Sequence, residues 1–287
     1  MLIEFFGVRG SVPAPGPRTV RYGGNTVCVG VRPASGDLLI LDAGTGFMEA
    51  GRQYLTRGLR GKVHVFLSHI HWDHVLGIPF SPITYRSEFT AVYYPLVDSR
   101  QDEVREGFPL FQPPSFPVPA AALPSGQEFH RGPPPWHVGS ATIRAIPLNH
   151  PDGAQGYRID DEGGGSLAYL TDNELGTVAD PSRFMDELAD FAKGVDVLIH
   201  DSQYTSADMP AKRGWGHSLV SDVLELARRA KPKRLMLFHH DPSRDDEALD
   251  QIGHQATQWL LERAPTTRAQ VAYEGLAITL PLKAAEL

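Results

Sequence analysis

Residues 68–77 read SHIHWDHVLG and place His69, His71, Asp73 and His74 within six positions of a chain that has 12 histidines in 287 residues. Each of these four side chains can ligate a metal. The stretch continues from KVHVFLSH (62–69), which reads as a strand running straight into the motif. His69 and His71 alternate by two, so on an extended segment they point to the same side. Asp73 and His74 follow a turn and cannot close around the same ion without strain. The spacing suits two metals side by side better than one.

Outward from the motif, strands and helices succeed one another. LIEFF (2–6), TVCVGV (26–31) and LLILDAG (38–44) read as strands, and GFMEAGRQYL (46–55) has helical spacing. Pro-rich sequence over 109–135, with PPSFPVP and GPPPW, predicts an irregular surface excursion spanning about 98–140. Strands resume at ATIRAIPL (141–148), QGYRI (155–159) and SLAYLTD (166–172). Asp180-Pro181 predicts a helix start, with Asp as N-cap and Pro at the first helical position. VDVLIH (195–200) reads as a buried strand, SLVSDVLELARRA (218–230) as an amphipathic helix and KRLMLF (233–238) as a strand. A long helix from about 244 to 263 and two strands, QVAYE and LAITLPL, follow. This order predicts two packed sheets with helices outside, in a single domain. Five strands finish with a candidate ligand or proton carrier: His69, His150, Asp172, His200 with Asp201, and His239. Strand ends are a rigid platform for sites.

Composition narrows the function classes. Hydrophobic content of 41% and charged content of 21% describe a soluble globular chain. No apolar run approaches the ~20 residues that span a bilayer. MLIEFFGVRG lacks a basic n-region and carries Glu4, so it is not expected to act as a signal peptide. The sole cysteine, Cys28, cannot form an internal disulfide, which predicts a cytoplasmic setting and leaves any metal to His and carboxylate ligands. The formal net charge of -7 argues against a grip on long nucleic acid and favours a small anionic substrate. Lys212 with Arg213, and the run Arg228 to Arg234, read as solvated surface charge.

S-H-I-H-W-D-H, with LDAGTG before it and His and Asp after later strands, resembles the metallo-β-lactamase fold superfamily over nearly the whole chain. The resemblance implies an α/β fold, an αββα sandwich with metals at one edge. It implies that His69, His71 and His150 hold one divalent ion, that Asp73, His74 and His239 hold a second, and that Asp172 bridges them. Asp42 of LDAGTG resembles a supporting residue behind the site. His240 adjoins His239, and either could ligate; the family pattern favours His239. Zinc suits such ligands, and manganese or iron is compatible.

Within the superfamily, Asp172 is not the cysteine of one lactamase type. WGHSLVSDVLELARRAKPKRLMLFHH resembles the ribonuclease Z region in which a G-H-S motif precedes a helix and the last metal histidine. LIHDSQY resembles the H-E-A-T segment of that group, with Asp201 in place of glutamate. The resemblance implies metal-assisted phosphodiester hydrolysis, in which Asp73 orients the attacking water, His217 protonates the leaving oxygen and Asp201 holds the His217 tautomer. GVRGSVPAPG and RYGGNT look like bacterial cyclic phosphodiesterases of the branch. There the glycines could admit a phosphate and Asn25 could donate to it. Trp72 and Trp215 could stack on a base or pack in the core. Relatives are often homodimers. The expected activity is hydrolysis of a small, cyclic nucleotide-like diester. The alternatives are a ribonuclease Z-type endonuclease, a thioester or lactone hydrolase, or a non-catalytic binding module.

Overall fold

Leu39 and Leu41 of strand β3 (Leu38–Leu41) belong to one core cluster, and Leu38 and Ile40 belong to another. The same division recurs in β10 (Ser166–Leu170), β11 (Val197–Asp201) and β12 (Arg234–Phe238). Tyr169, Ile199 and Phe238 face one core, while Leu170, Leu198 and Leu237 face another. A strand alternates its side chains between two faces. Strands apolar at both parities are therefore covered on both faces, which dictates a layered architecture.

The structure is a computed structural model that describes residues 1–96, 114, 116–118 and 122–282. Its described residues form two seven-stranded sheets. The first contains β1 (Leu2–Gly7), β2 (Cys28–Arg32), β3, β4 (Gly61–Phe66), β5 (Phe89–Tyr93) and β6 (Gly126–Phe129) in chain order, with β14 (Ala277–Thr279) beside β1. The second runs β13 (Arg268–Val271), β12, β11, β10, β9 (Ala154–Asp161), β8 (Ala141–Leu148) and β7 (Trp136–Val138). One core lies between the sheets. Helix α1 (Gly46–Thr56) covers the outer face of the first sheet through Phe47, Ala50 and Tyr54. Helices α4 (Pro181–Phe191), α5 (Val220–Ala230) and α6 (Asp246–Arg263) cover the second. The short helices α2 (Trp72–Val75) and α3 (Pro82–Tyr85) follow β4. The result is an αββα sandwich. Among the described residues no helix is long and apolar enough to cross a membrane.

Three expectations are corrected. The excursion at 98–140 is not irregular throughout, because β6 and β7 lie in its second half and form an edge of each sheet. Most of its first half, including residues 98–113, lies outside the described residues. Asn25 is engaged within the fold: its backbone N–H and Nδ2 donate to Glu274 at 2.5 and 2.9 Å, tying the N-terminal loop to the C-terminal region. The helix read over 218–230 starts at Val220: the Ser218 hydroxyl donates to the Asn173 carbonyl at 2.5 Å, and Leu219 stands at the N-cap of α5.

Candidate metal centre and active site

β4, β10, β11 and β12 deliver their ends to one edge of the sandwich. Strands β10, β11 and β12 are parallel neighbours, so their carboxyl ends align. His69 comes three residues after a strand, Asp172 two and His239 one. Asp42, Asp172, His239 and Ser11 all have left-handed φ, between 56° and 63°. That conformation is costly for non-glycine residues, and here it clusters at one place.

Two sets of donors converge. His69, His71 and His150 form one, and Asp73, His74, Asp172 and His239 form the other. The Asp172 carboxylate faces both. Its Oδ1 lies 3.3 Å from His74 Nε2 and 3.1 Å from His239 Nε2. Its Oδ2 lies 3.8 Å from His69 Nε2 and 3.7 Å from His150 Nε2. His71 Nδ1 stands 3.1 Å from His150 Nε2. Asp73 Oδ2 accepts the Ser11 N–H at 2.7 Å and lies 3.2 Å from His239 Nε2.

Among the described residues the buried Nε2 atoms of His69 and His74 have no hydrogen-bond partner. An unsatisfied buried polar atom costs about 1–3 kcal/mol, and metal ligation would satisfy each of these. Burial pushes His69, His71 and His150 below the ordinary histidine pKa, giving the neutral imidazoles that ligation requires. Burial also opposes charge on His74, but Asp172, Asp73 and Asp42 outweigh it and raise its pKa. A pocket of that polarity attracts cations. The donor set therefore fits divalent metal.

Other polar groups orient these donors. His74 Nδ1 lies 2.9 Å from Asp42 Oδ2, which also accepts from Tyr169 Oη at 2.7 Å and Ser68 Oγ at 2.9 Å. His239 Nδ1 lies 2.7 Å from Gln203 Oε1, and His150 Nδ1 donates to the Gly216 carbonyl at 2.9 Å. Such contacts fix the tautomer that presents Nε2 inward. Gly10 and Gly216 are required by close approach. A Cβ on Gly10 would lie 2.2 Å from His239 Nδ1, and one on Gly216 would lie 2.2 Å from His150 Nδ1.

His217 Nδ1 lies 3.1 Å from Asp201 Oδ2, and its ring stacks on His239 with centroids 4.9 Å apart. Burial disfavours its charged form, but the Asp201 carboxylate outweighs that and raises its pKa to about 9. Asp201 is fully buried and also accepts the N–H groups of Gln203 at 2.9 Å and Ser218 at 3.2 Å.

Nine of the residues singled out in the sequence as ligands or proton carriers thus converge here, and His200 and His240 do not. His240 is buried beside Tyr22, with Nε2 donating to the Ala272 carbonyl at 2.8 Å. His200, also at a strand end, is a core residue whose Nε2 accepts from Asn173 at 3.2 Å. Trp72 and Trp215 are both exposed, so neither packs in the core. Ser11, Ser68, Tyr169 and Gln203 were not legible as site residues. For Gln203 one signal existed: it stands two residues past Asp201 on an extended segment.

The layered fold and the His/Asp centre at its edge define a metal-dependent hydrolase. A family model described as a beta-lactamase superfamily domain matches residues 38–240. The chain belongs to the metallo-β-lactamase superfamily. It is 26% identical to a ribonuclease Z of Natronomonas pharaonis over 306 residues, covering 88% of this chain and 94% of that one. Its fold is similar to that of the metallo-beta-lactamase fold protein YhfI from Bacillus subtilis (TM-score 0.67, 15% identity, 96% of this chain and 98% of that one). It is also similar to a diphosphatase of the PhnP family (TM-score 0.64, 18% identity, 98% of each chain).

Proposed function

We propose that the chain is a dinuclear metal phosphodiesterase acting on a small, cyclic nucleotide-like diester. The observation that carries this reading is the Asp172 carboxylate divided between two histidine sets, beside a His217 held by Asp201. Two divalent ions, zinc by ligand chemistry, would be held by His69, His71 and His150 and by Asp73, His74 and His239, with Asp172 common to both. Such ions supply Lewis acidity toward a phosphoryl oxygen and lower the pKa of water. With only two carboxylates among their ligands, they leave net positive charge, which suits an anionic diester.

The side chains then divide the proton work. Asp73, fixed through Oδ2 by the Ser11 N–H, orients the attacking water and takes its proton. The water oxygen bonds to phosphorus as the bond to the leaving oxygen breaks. His217, whose pKa the Asp201 carboxylate raises, gives that oxygen a proton, while Asp201 holds Nδ1 so that Nε2 is the donor.

Charge supports a small substrate. Arg228 and Arg229 pair with Glu225, Lys212 with Asp241, and Lys233 with Asp196, so these basic residues do not form a free stripe for a polymer. The ribonuclease Z of Natronomonas pharaonis supports a second reading, an RNA-processing endonuclease. A panel of cyclic diesters, linear diesters and precursor tRNA, assayed on metal-quantified protein, separates the two. Cyclic diesters are expected to be cleaved and precursor tRNA left intact; the reverse would overturn the small-substrate reading.

Metal analysis of protein purified without chelator should approach two equivalents per chain. Full activity at one equivalent would sink the dinuclear reading. Chelation should lower the melting temperature by about 5 °C or more, because it removes a ligand of the native state and returns buried imidazole nitrogens to an unsatisfied state. An unchanged melting temperature after verified metal removal would contradict this. Monoester products should resist further hydrolysis, since their extra negative charge would sit against Asp73. Equal monoesterase and diesterase rates would contradict that placement.

A further inference from the structure

A cavity of about 350 Å³ adjoins the site on the side of His217, which is one of its lining residues. On the proposed reading, His217 protonates the leaving oxygen, so whatever that oxygen carries must lie against this ring. The cavity is therefore on the leaving-group side. Its volume lies within the range of small-molecule sites. Leu175, Met209 and Leu219 give it apolar walls. Glu174 braces one wall by accepting the N–H groups of Gly214 and Gly216, both at 2.8 Å.

Two charged residues line the same cavity without neutralising each other. Arg213 forms no side-chain hydrogen bond or ion pair among the described residues. Asp222 is half-buried in the first turn of α5, and its nearest hydrogen-bond partner is the Ser221 hydroxyl at a long 3.5 Å. A carboxylate near a helix N-terminus is favourable, but an exposed one would serve. This one is half-buried and lines the same cavity as the exposed Arg213 guanidinium, so an acceptor pair and a donor fork border one space.

Base chemistry selects the occupant. A carboxylate only accepts, and a guanidinium only donates. Guanine offers the acceptors O6 and N7, which match an arginine fork, and the donors N1–H and N2–H, which match a carboxylate. Adenine presents a donor where guanine has O6 and lacks the N2 amine. We propose that this cavity is a nucleoside subsite for the leaving side of the substrate, with Asp222 and Arg213 reading a guanine base. This inference rests on the phosphodiesterase reading for its orientation, not for its chemistry.

Calorimetric titration of the intact, metal-loaded protein with guanosine, inosine and adenosine 5′-monophosphates tests it. Guanosine monophosphate is expected to bind about tenfold or more tightly than adenosine monophosphate. Inosine monophosphate, lacking the N2 amine, should fall between them. Asp222→Asn keeps the shape but turns a donor toward the base, and should weaken guanosine monophosphate about tenfold. Arg213→Ala, at an exposed residue, should also weaken it, and it serves should Asp222→Asn fail to fold. Equal binding of the three nucleotides, or unchanged guanosine monophosphate affinity in folded variants, overturns the proposal. The titration does not depend on catalysis. A wild type that prefers guanine through these residues but cleaves no diester keeps the subsite and refutes the phosphodiesterase. One that cleaves diesters without the preference does the opposite.

Discussion

Asp172→Ala is expected to lose most of both metal ions and to lower the diesterase rate by at least about 10³-fold. An outer-shell partner of a metal ligand is typically worth 10–100-fold, and a carboxylate that touches both donor sets should exceed that. Its Oδ1 faces His74 and His239 within 3.3 Å, and its Oδ2 faces His69 and His150 within 3.8 Å. Burial would push the Asp172 carboxyl upward, but His239 and His74 hold it well below the usual carboxylate range. The group therefore remains an anion. Asp42→Ala provides the internal comparison. Among the described residues the Asp42 carboxylate touches His74 Nδ1, Ser68 and Tyr169, so its loss should fall within the 10–100-fold range. Elemental analysis and steady-state rates on both variants check the order. Wild-type metal content and rate in Asp172→Ala would remove that residue from the centre.

His217→Ala should slow a nucleotide diester by about 10²–10⁴-fold, the usual worth of general acid catalysis, and slow bis-p-nitrophenyl phosphate far less. An alkoxide leaving from ribose is strongly basic and needs the proton, whereas p-nitrophenolate leaves readily without it. Metal content should be unchanged, and the comparison of substrates carries the argument. His217 lies within reach of His150 and Asp172, so a role as a metal ligand would appear as lost metal and equal losses on both substrates. Asp201→Asn should follow the same substrate pattern with a smaller loss, because it disturbs the orientation of Nδ1 and leaves the ring in place.

Several elements were legible for a local reason. Asp180 caps α4 by accepting the Arg183 N–H at 3.1 Å, as an aspartate before a proline predicts. Helix α5 buries Val223, Leu226 and Ala230 on the face that its spacing predicts. Strands β6 and β7 were missed because they adjoin proline-rich sequence, and each is short and stabilised by one neighbour, β5 or β8. β6 pairs with the distant β5, which leaves no mark in a four-residue window, whereas β7 is a three-residue strand in a hairpin with β8. The same holds for Ser11, which reaches Asp73 across 62 positions of chain through a backbone N–H that any residue could supply.

The sequence by itself determined the donor chemistry and the layering. Imidazoles and carboxylates are properties of residue type, and strands apolar at both parities need cover on both faces. Tertiary structure alone decided which donors meet, and at what atoms. His239 and His240 are equal in chemistry and adjacent in the chain. The left-handed turn at His239, with φ of 57°, accompanies a geometry in which its ring faces Asp73 and Asp172 while His240 faces Ala272. Asp42 and Asp172 are both aspartates after apolar strands, with φ of 57° and 56°. One stands behind His74 and the other between the two histidine sets. Backbone direction at a strand end is set by what packs against it, and residue type carries no record of that.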